Sequence, residues 1–219
     1  IAADARRMVE NCDGPHVDTI LAVHQSRLPF ETIKKNQEKI IILAVRKLPV
    51  WIEWAKDVHG LGEASVGRIL AETGDLSNYS NVGKVWKRCG LAVIDGVRQG
   101  GLNKTASKAD WIAHGYNKQR RSLIWTWGDS AIKVSRAYRP IYLARKEIER
   151  QRATDAGLIV CPAARIPKGK ESDYMSDGHI HRRAQRYMEK RLLKHLWQAW
   201  RRNKIDLSEK TDRIISVAN

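Results

Sequence analysis

A long helix is written into residues 179–203, where Ala184, Met188, Leu192, Leu196 and Trp200 recur every four residues and Leu193 and Trp197 widen the stripe. Four-residue recurrence puts side chains on one face of an α-helix and contradicts the two-residue alternation of a strand. So wide an apolar face has to be covered by other helices. Nowhere does the chain carry a long alternation of apolar and polar residues that would argue for a large sheet. The expectation is a mainly α fold with long flanking helices and little or no sheet.

Turn residues punctuate the rest. Asp13, Gly14 and Pro15 separate two short helical patterns, 2–12 and 16–28, and after Pro29 a longer one runs over 30–57, with Pro49 as a kink or restart. A glycine-rich turn at 59–62 leads into a helix over 63–72, and Asn81 is placed to cap a short helix over 81–89. Residues 90–116 carry five glycines and no clean period, and read as a loop with room for short strands. Helices over 117–133 and 137–152 follow, the second with Pro140 in its first turn, where a missing N–H does little harm. Two prolines and the polar run Lys168 to Ser172 mark 153–178 as a mobile connector. Four segments result: an N-terminal helical arm over 1–57 suited to dimerisation, a hairpin domain over 58–152, the connector, and a basic amphipathic helix over 179–219.

The segment Val58-His59-Gly60-Leu61-Gly62-Glu63-Ala64-Ser65-Val66 reads as the turn of a helix-hairpin-helix. Gly60 and Gly62 are both expected to supply positive φ, so a β-branched residue at Gly62 is expected to distort the turn. Leu61 is expected to plug the gap between the helices. The N–H groups opening the second helix are then unpaired and suited to a phosphate oxygen, a contact that positions nucleic acid without reading its sequence. An ordinary turn between packed helices leaves a similar trace, and Glu63 sets a carboxylate where a phosphate is expected.

Charge favours the binding reading. Forty Lys and Arg stand against 24 Asp and Glu, a formal net charge of +16 on 219 residues, which points to a polyanionic partner. No apolar run is long enough to span a membrane, and no signal peptide is visible, so nucleic acid is preferred to a lipid surface and the cytoplasm or nucleoid is the expected compartment. Candidate contacts are the hairpin glycines Gly60 and Gly62, then Lys84, Lys87, Arg88, Arg98, Lys104 and Lys108 around the irregular stretch. Lys118, Arg120 and Arg121 open the next helix, and Arg182, Arg183 and Arg186 lie on the last one, where Glu189 alone interrupts a run of cations. Eight Trp and one Phe suggest that tryptophan does much of the core packing. Cys12, Cys89 and Cys161 lack the spacing of a zinc site and read as reduced thiols. His179 and His181 have no third ligand nearby, so no metal site is expected there, and Glu147 and Glu149 fall on different helix faces, which argues against a paired acid site.

The run from Gly60 to Leu91 contains Gly-Leu-Gly, then Ile69-Leu70-Ala71-Glu72-Thr73-Gly74-Asp75-Leu76, Tyr79, and Val85-Trp86-Lys87-Arg88-Cys89-Gly90-Leu91. In combination it resembles the C-terminal domain of Piv-type, bridge-RNA-associated insertion-sequence transposases. His114-Gly115-Tyr116 and Arg120-Arg121-Ser122-Leu123 are similar to the basic helix that follows in that family, and the likeness covers residues 58–150. The resemblance implies a DNA-binding, transposase-like protein of a mobile element, working with a guide RNA. In that family a separate N-terminal domain holds divalent metal on four acidic residues. Nothing upstream of residue 30 is long enough to be that domain, and the chain opens on Ile1, as a fragment would. The expectation is no cofactor in this chain, with divalent metal supplied only by an acidic domain upstream. The family's nucleophilic serine lies between its Gly-Leu and its basic helix, which makes Ser107 the candidate catalytic residue. The competing functions are a stand-alone nucleic-acid-binding protein without chemistry and an assembly protein of a phage or plasmid.

Overall fold

The computed structural model describes residues 16–217 other than Lys104, with side chains described as far as Arg202. The helical pattern expected over 2–12, together with Cys12, lies outside the described residues. Eight α-helices and two very small sheets make the described part mainly α. The chain divides into two compact units, 1–44 and 45–219.

The first unit is carried by helix α1 (Val17–Arg46), which runs straight through Pro29. This corrects the expected break. Proline costs the bond to the carbonyl four residues back, here that of Gln25, and Gln25 and its neighbours are exposed, so no buried acceptor is stranded. The face bearing Val23, Phe30, Ile33 and Ile40 is exposed within this unit.

The second unit is built on its last helix. Helices α2 (Pro49–Glu53), α3 (Glu63–Thr73), α4 (Val82–Arg88), α5 (Lys108–His114), α6 (Lys118–Val134) and α7 (Arg139–Asp155) precede α8 (Asp177–Val217). Pro49 restarts the chain at the first turn of α2, and Pro140 sits in the first turn of α7. Helix α8 is packed by α7, α6, α4 and α2. Its stripe is the core: Ile180, Ala184, Met188, Leu192, Leu193 and Leu196 are fully buried. Each such Leu or Met contributes about 1.5–3 kcal/mol relative to exposure. The expected helix over 179–203 thus starts two residues earlier and continues to Val217.

Tryptophan plays a different part from the one expected. Only Trp127 is almost fully buried, while Trp125 is 47% exposed. Three others use the indole N–H as a pin: Trp86 donates to the Lys190 carbonyl at 3.0 Å, Trp197 to the Tyr79 carbonyl at 3.2 Å and Trp200 to the Asp75 carboxylate at 2.8 Å. Half-buried indoles thereby tie the preceding segments to α8.

Two stretches without helical period acquire structure. Strands β1 (Val93–Ile94) and β2 (Val97–Arg98) form an antiparallel hairpin closed by Asp95-Gly96, both in the left-handed region, the two-residue turn that matches strand twist. Within 153–178, β3 (Ile159–Cys161) and β4 (Tyr174–Ser176) pair in parallel, with 162–173 as the crossover, and Ser176 caps α8 by accepting from the His179 N–H at 3.1 Å. The stretch expected as a connector thus carries two short paired strands between α7 and α8.

Two tyrosines stitch α7 to α8. The Tyr138 hydroxyl bonds His195 Nδ1 at 2.8 Å, and the Tyr142 hydroxyl bonds His181 Nδ1 at 2.8 Å. Burial holds both imidazoles below their ordinary value of 6.5, helped by Lys146 at His181 and by Arg191 at His195. Burial raises the Tyr138 phenol, so it remains a donor, and the ring nitrogen accepts only while it is unprotonated. A lowered folded pKa means that the unfolded chain takes up protons first as the pH falls below 6.5. Stability should therefore be full above that value and fall as the medium is acidified through the folded pKa values. Urea unfolding at a series of pH values should show this loss, and replacing both histidines with glutamine should reduce it, the remainder of the histidine component belonging to His179; an unchanged profile in the double variant contradicts the assignment.

Candidate nucleic-acid interface

The hairpin forms as a compact turn. A 3-10 turn, Ala55–Asp57, follows α2, the Leu61 N–H donates to the Val58 carbonyl at 3.0 Å, and Val58 and Leu61 are buried, Leu61 being the plug the sequence led one to expect. The two glycines differ. Gly60 has φ +92°, and a Cβ there would lie 3.0 Å from Val134 Cγ2 and 3.1 Å from the Ser130 carbonyl. Gly62 has ordinary extended backbone, φ −82° and ψ 157°, with nothing near its missing Cβ. The expectation of positive φ at Gly62 is corrected: one left-handed residue closes this turn, and it is the one pressed against α6.

The opening of α3 is also more occupied than expected. The Glu63 carboxylate accepts from its own backbone N–H and pairs with Arg46 at 2.9 Å; together these hold it below the usual carboxylate range. Ser65 and Val66 donate to the Gly62 carbonyl. The hairpin therefore meets its own polar needs.

Positive charge concentrates elsewhere. A cleft of about 520 Å³ opens between the β1–β2 hairpin, the first turn of α6, the middle of α7 and the first half of α8. Eight cationic side chains line it against one carboxylate. Of the candidates, Arg98, Arg121, Arg182, Arg183 and Arg186 are brought together here. Arg145, Arg152 and Lys190 join them, and were not among the candidates. The spacing Arg145, Glu149, Arg152 on one helix face is the signal for the first two.

Electrostatics reports crowding of like charge. Burial lowers the pKa of Arg186, and Arg98, Arg121 and Arg183 lower it further. His179 is likewise held down by burial and then by Arg183, Arg182, Arg186 and Arg98. Lys190, lowered by burial and Arg186, lies 5.1 Å from the centre of the Trp86 ring.

Three buried polar residues hold this arrangement. Glu149, 5% exposed, receives Arg145, Arg152 at 3.7 Å and Arg183 at 3.3 Å. Glu189, fully buried, pairs with Arg121 at 2.9 Å and accepts from Gln185 at 3.1 Å; burial pushes its carboxyl up and Arg121 opposes the shift. Gln99 accepts from the Ala92 N–H at 2.9 Å and donates to the Lys87 and His114 carbonyls at 3.0 and 2.8 Å, fixing the β1–β2 hairpin against α4 and α5.

The remaining candidates are dispersed. Arg88 donates to the Glu72 carbonyl at 3.0 Å and Arg120 to the Glu72 carboxylate at 2.9 Å, so both lock the end of α3. Lys84, Lys87, Lys108 and Lys118 are exposed, and Lys104 lies outside the described residues. Ser107 is the N-cap of α5, a helix absent from the sequence expectation: its hydroxyl donates to the Asp110 carboxylate at 2.7 Å and accepts from the Asp110 N–H at 3.1 Å. The bond from the Ser107 hydroxyl and a second from the Ser107 backbone N–H at 2.9 Å hold Asp110 below the usual carboxylate range, which weakens it as a base. Cys89 is buried and its thiol is pushed up to about 12 by burial, leaving it unreactive. Among the described residues no three His, Cys, Asp or Glu cluster as a metal site, and no helix is long and apolar enough to cross a membrane.

Comparison with family models, curated proteins and solved structures returns no match.

Gly60→Val should destabilise the fold by about 1–3 kcal/mol, because it strains a left-handed residue held against α6. Gly62→Ala should stay within about 0.5 kcal/mol of the parent. Denaturant titration of the two variants checks both values, and reversal of their order refutes the assignment of the turn. Ser107→Ala should cost about 1 kcal/mol through loss of the cap. The same titration reads this, and a neutral substitution would show that the capping box contributes nothing.

Proposed function

We propose that this chain binds nucleic acid through the basic cleft, as the DNA-contacting part of a transposase-like protein of a mobile element. The observation that carries this reading is the convergence of arginines from four elements onto one concave surface. Among the described residues, neither Arg98 nor Arg186 has a carboxylate within ion-pair distance. Folding cations together against their own repulsion is explained when a polyanion is the intended counterion. Guanidinium forks fit phosphate bidentately, and contacts to it carry no sequence information, so this chain is assigned backbone binding with little base selectivity. The hairpin supports α6, from which Arg121 reaches the cleft, and is a scaffold for this interface more than a phosphate seat. Strand cleavage, a guide RNA and divalent metal belong to the wider transposase reading and rest on the sequence resemblance alone.

Affinity for a short DNA duplex should fall steeply with salt, and Arg182→Gln should lower the slope of log K against log salt by about 0.9, the loss of one phosphate contact. Lys133→Gln, which removes an exposed cation paired with Asp129, should leave slope and affinity unchanged. Fluorescence anisotropy over a salt series measures both. Salt-independent binding, or equal losses in the two variants, overturns the assignment of the cleft.

A further inference from the structure

We propose that the inner part of this cleft is a seat for a phosphate monoester, the dianionic group carried by the end of a nucleic-acid strand. The inference rests on the nucleic-acid reading above and sharpens it. Arg98, Arg121 and Arg186 all line this cleft, and Arg98 and Arg121 are the like charges that most lower the Arg186 pKa. Arg121 spends one side of its guanidinium on Glu189 at 2.9 Å, while its Nη1 is buried without a hydrogen-bond partner. Arg98 and Arg186 have no carboxylate at ion-pair distance among the described residues. Three guanidiniums lining one cleft thus keep donors uncommitted.

The charge count separates the possible phosphates. An internal phosphodiester brings one negative charge and two unbridged oxygens. A monoester brings about −1.5 to −2 and three strong acceptor oxygens, the better match for two free guanidiniums and the uncommitted edge of a third. Shape agrees with charge. The space is about 520 Å³, walled by the β1–β2 hairpin, α6, α7 and α8, the scale of a small-ligand site. A strand end can bring its terminal phosphate to such a concave surface. A free nucleotide carries the same group, and the experiment has to tell the two sources apart.

The test is fluorescence anisotropy at fixed salt with one single-stranded oligonucleotide prepared in three forms: 5′-phosphorylated, 3′-phosphorylated, and hydroxyl at both ends. At least one phosphorylated form should bind about tenfold tighter than the hydroxyl form, the factor one charge-assisted contact confers. A nucleoside monophosphate and inorganic phosphate serve as competitors. Weaker competition by both than by the phosphorylated oligonucleotide supports a strand end. A nucleoside monophosphate as tight as the phosphorylated oligonucleotide keeps the monoester seat and overturns the strand as its source. Arg186→Gln should weaken every form and bring the phosphorylated and hydroxyl forms to the same affinity. Arg98→Gln, on an exposed hairpin position and independent of the core, should do likewise. Equal, salt-sensitive binding of all three forms by the parent protein overturns the seat and leaves backbone binding intact, as does a preference that survives both substitutions. Absence of salt-sensitive binding overturns the nucleic-acid reading itself.

Discussion

Glu189 stands in the middle of the apolar face of α8 with no solvent exposure, and much of the second unit is arranged around its charge. A buried carboxylate is costly unless it is paired and bonded, and removing one partner from such a pair leaves the other stranded. Arg121 supplies the pair from α6 and Gln185 the second bond from α8. Room for the carboxylate comes from Gly128, where a Cβ would stand 2.7 Å from Glu189 Cγ and Oε1. One interaction thereby fixes the approach of α6 to α8, the direction of Arg121 and the inner end of the cleft. Glu149 does the corresponding work between α7 and α8, gathering Arg145, Arg152 and Arg183. The two carboxylates act as internal anchors that hold arginines in place, with Arg121 Nη1 and Arg145 Nε buried and left without a partner.

The main features of the fold were legible because they depend on short-range physics. The four-residue stripe of α8, the proline at the start of α2, the Asn81 cap and the apolar plug Leu61 are each local signals, and the folded chain uses them as such. Pro29 misled because a proline is tolerated in a helix where the carbonyl it frees stays exposed. Helix α5 was missed since its capping box uses Ser107 with Asp110 rather than the longer Glu or Gln, and its seven residues are too few for a period. Gly60 and Gly62 look alike in sequence; only the packing of Gly60 against α6 tells them apart.

The interface was legible in its residue types and not in its membership. A surplus of cations announces a polyanionic partner without saying which ones converge. Arg88 and Arg120 look equivalent to Arg98 and Arg121 in a list of charges, yet the first two are committed to Glu72. Arg145 and Arg152 enter the cleft from a helix that carried no candidate, and Gln99, which has no charge, holds the hairpin that delivers Arg98. Such assignments depend on contacts between residues far apart in the chain, which periodicity and spacing do not encode.

The β1–β2 hairpin carries a consequence for how this region tolerates change. Val93 pairs with Arg98 and Ile94 with Val97, so Arg98 shares a face with Val93, and both line the cleft. A strand has a side-chain period of two, and the Asp95-Gly96 turn leaves no slack between the two arms. Exchanging one side chain for another leaves this geometry standing, whereas inserting or deleting a single residue between Val93 and Arg98 turns the guanidinium to the opposite face. Descent with variation is therefore constrained here in segment length more tightly than in residue identity.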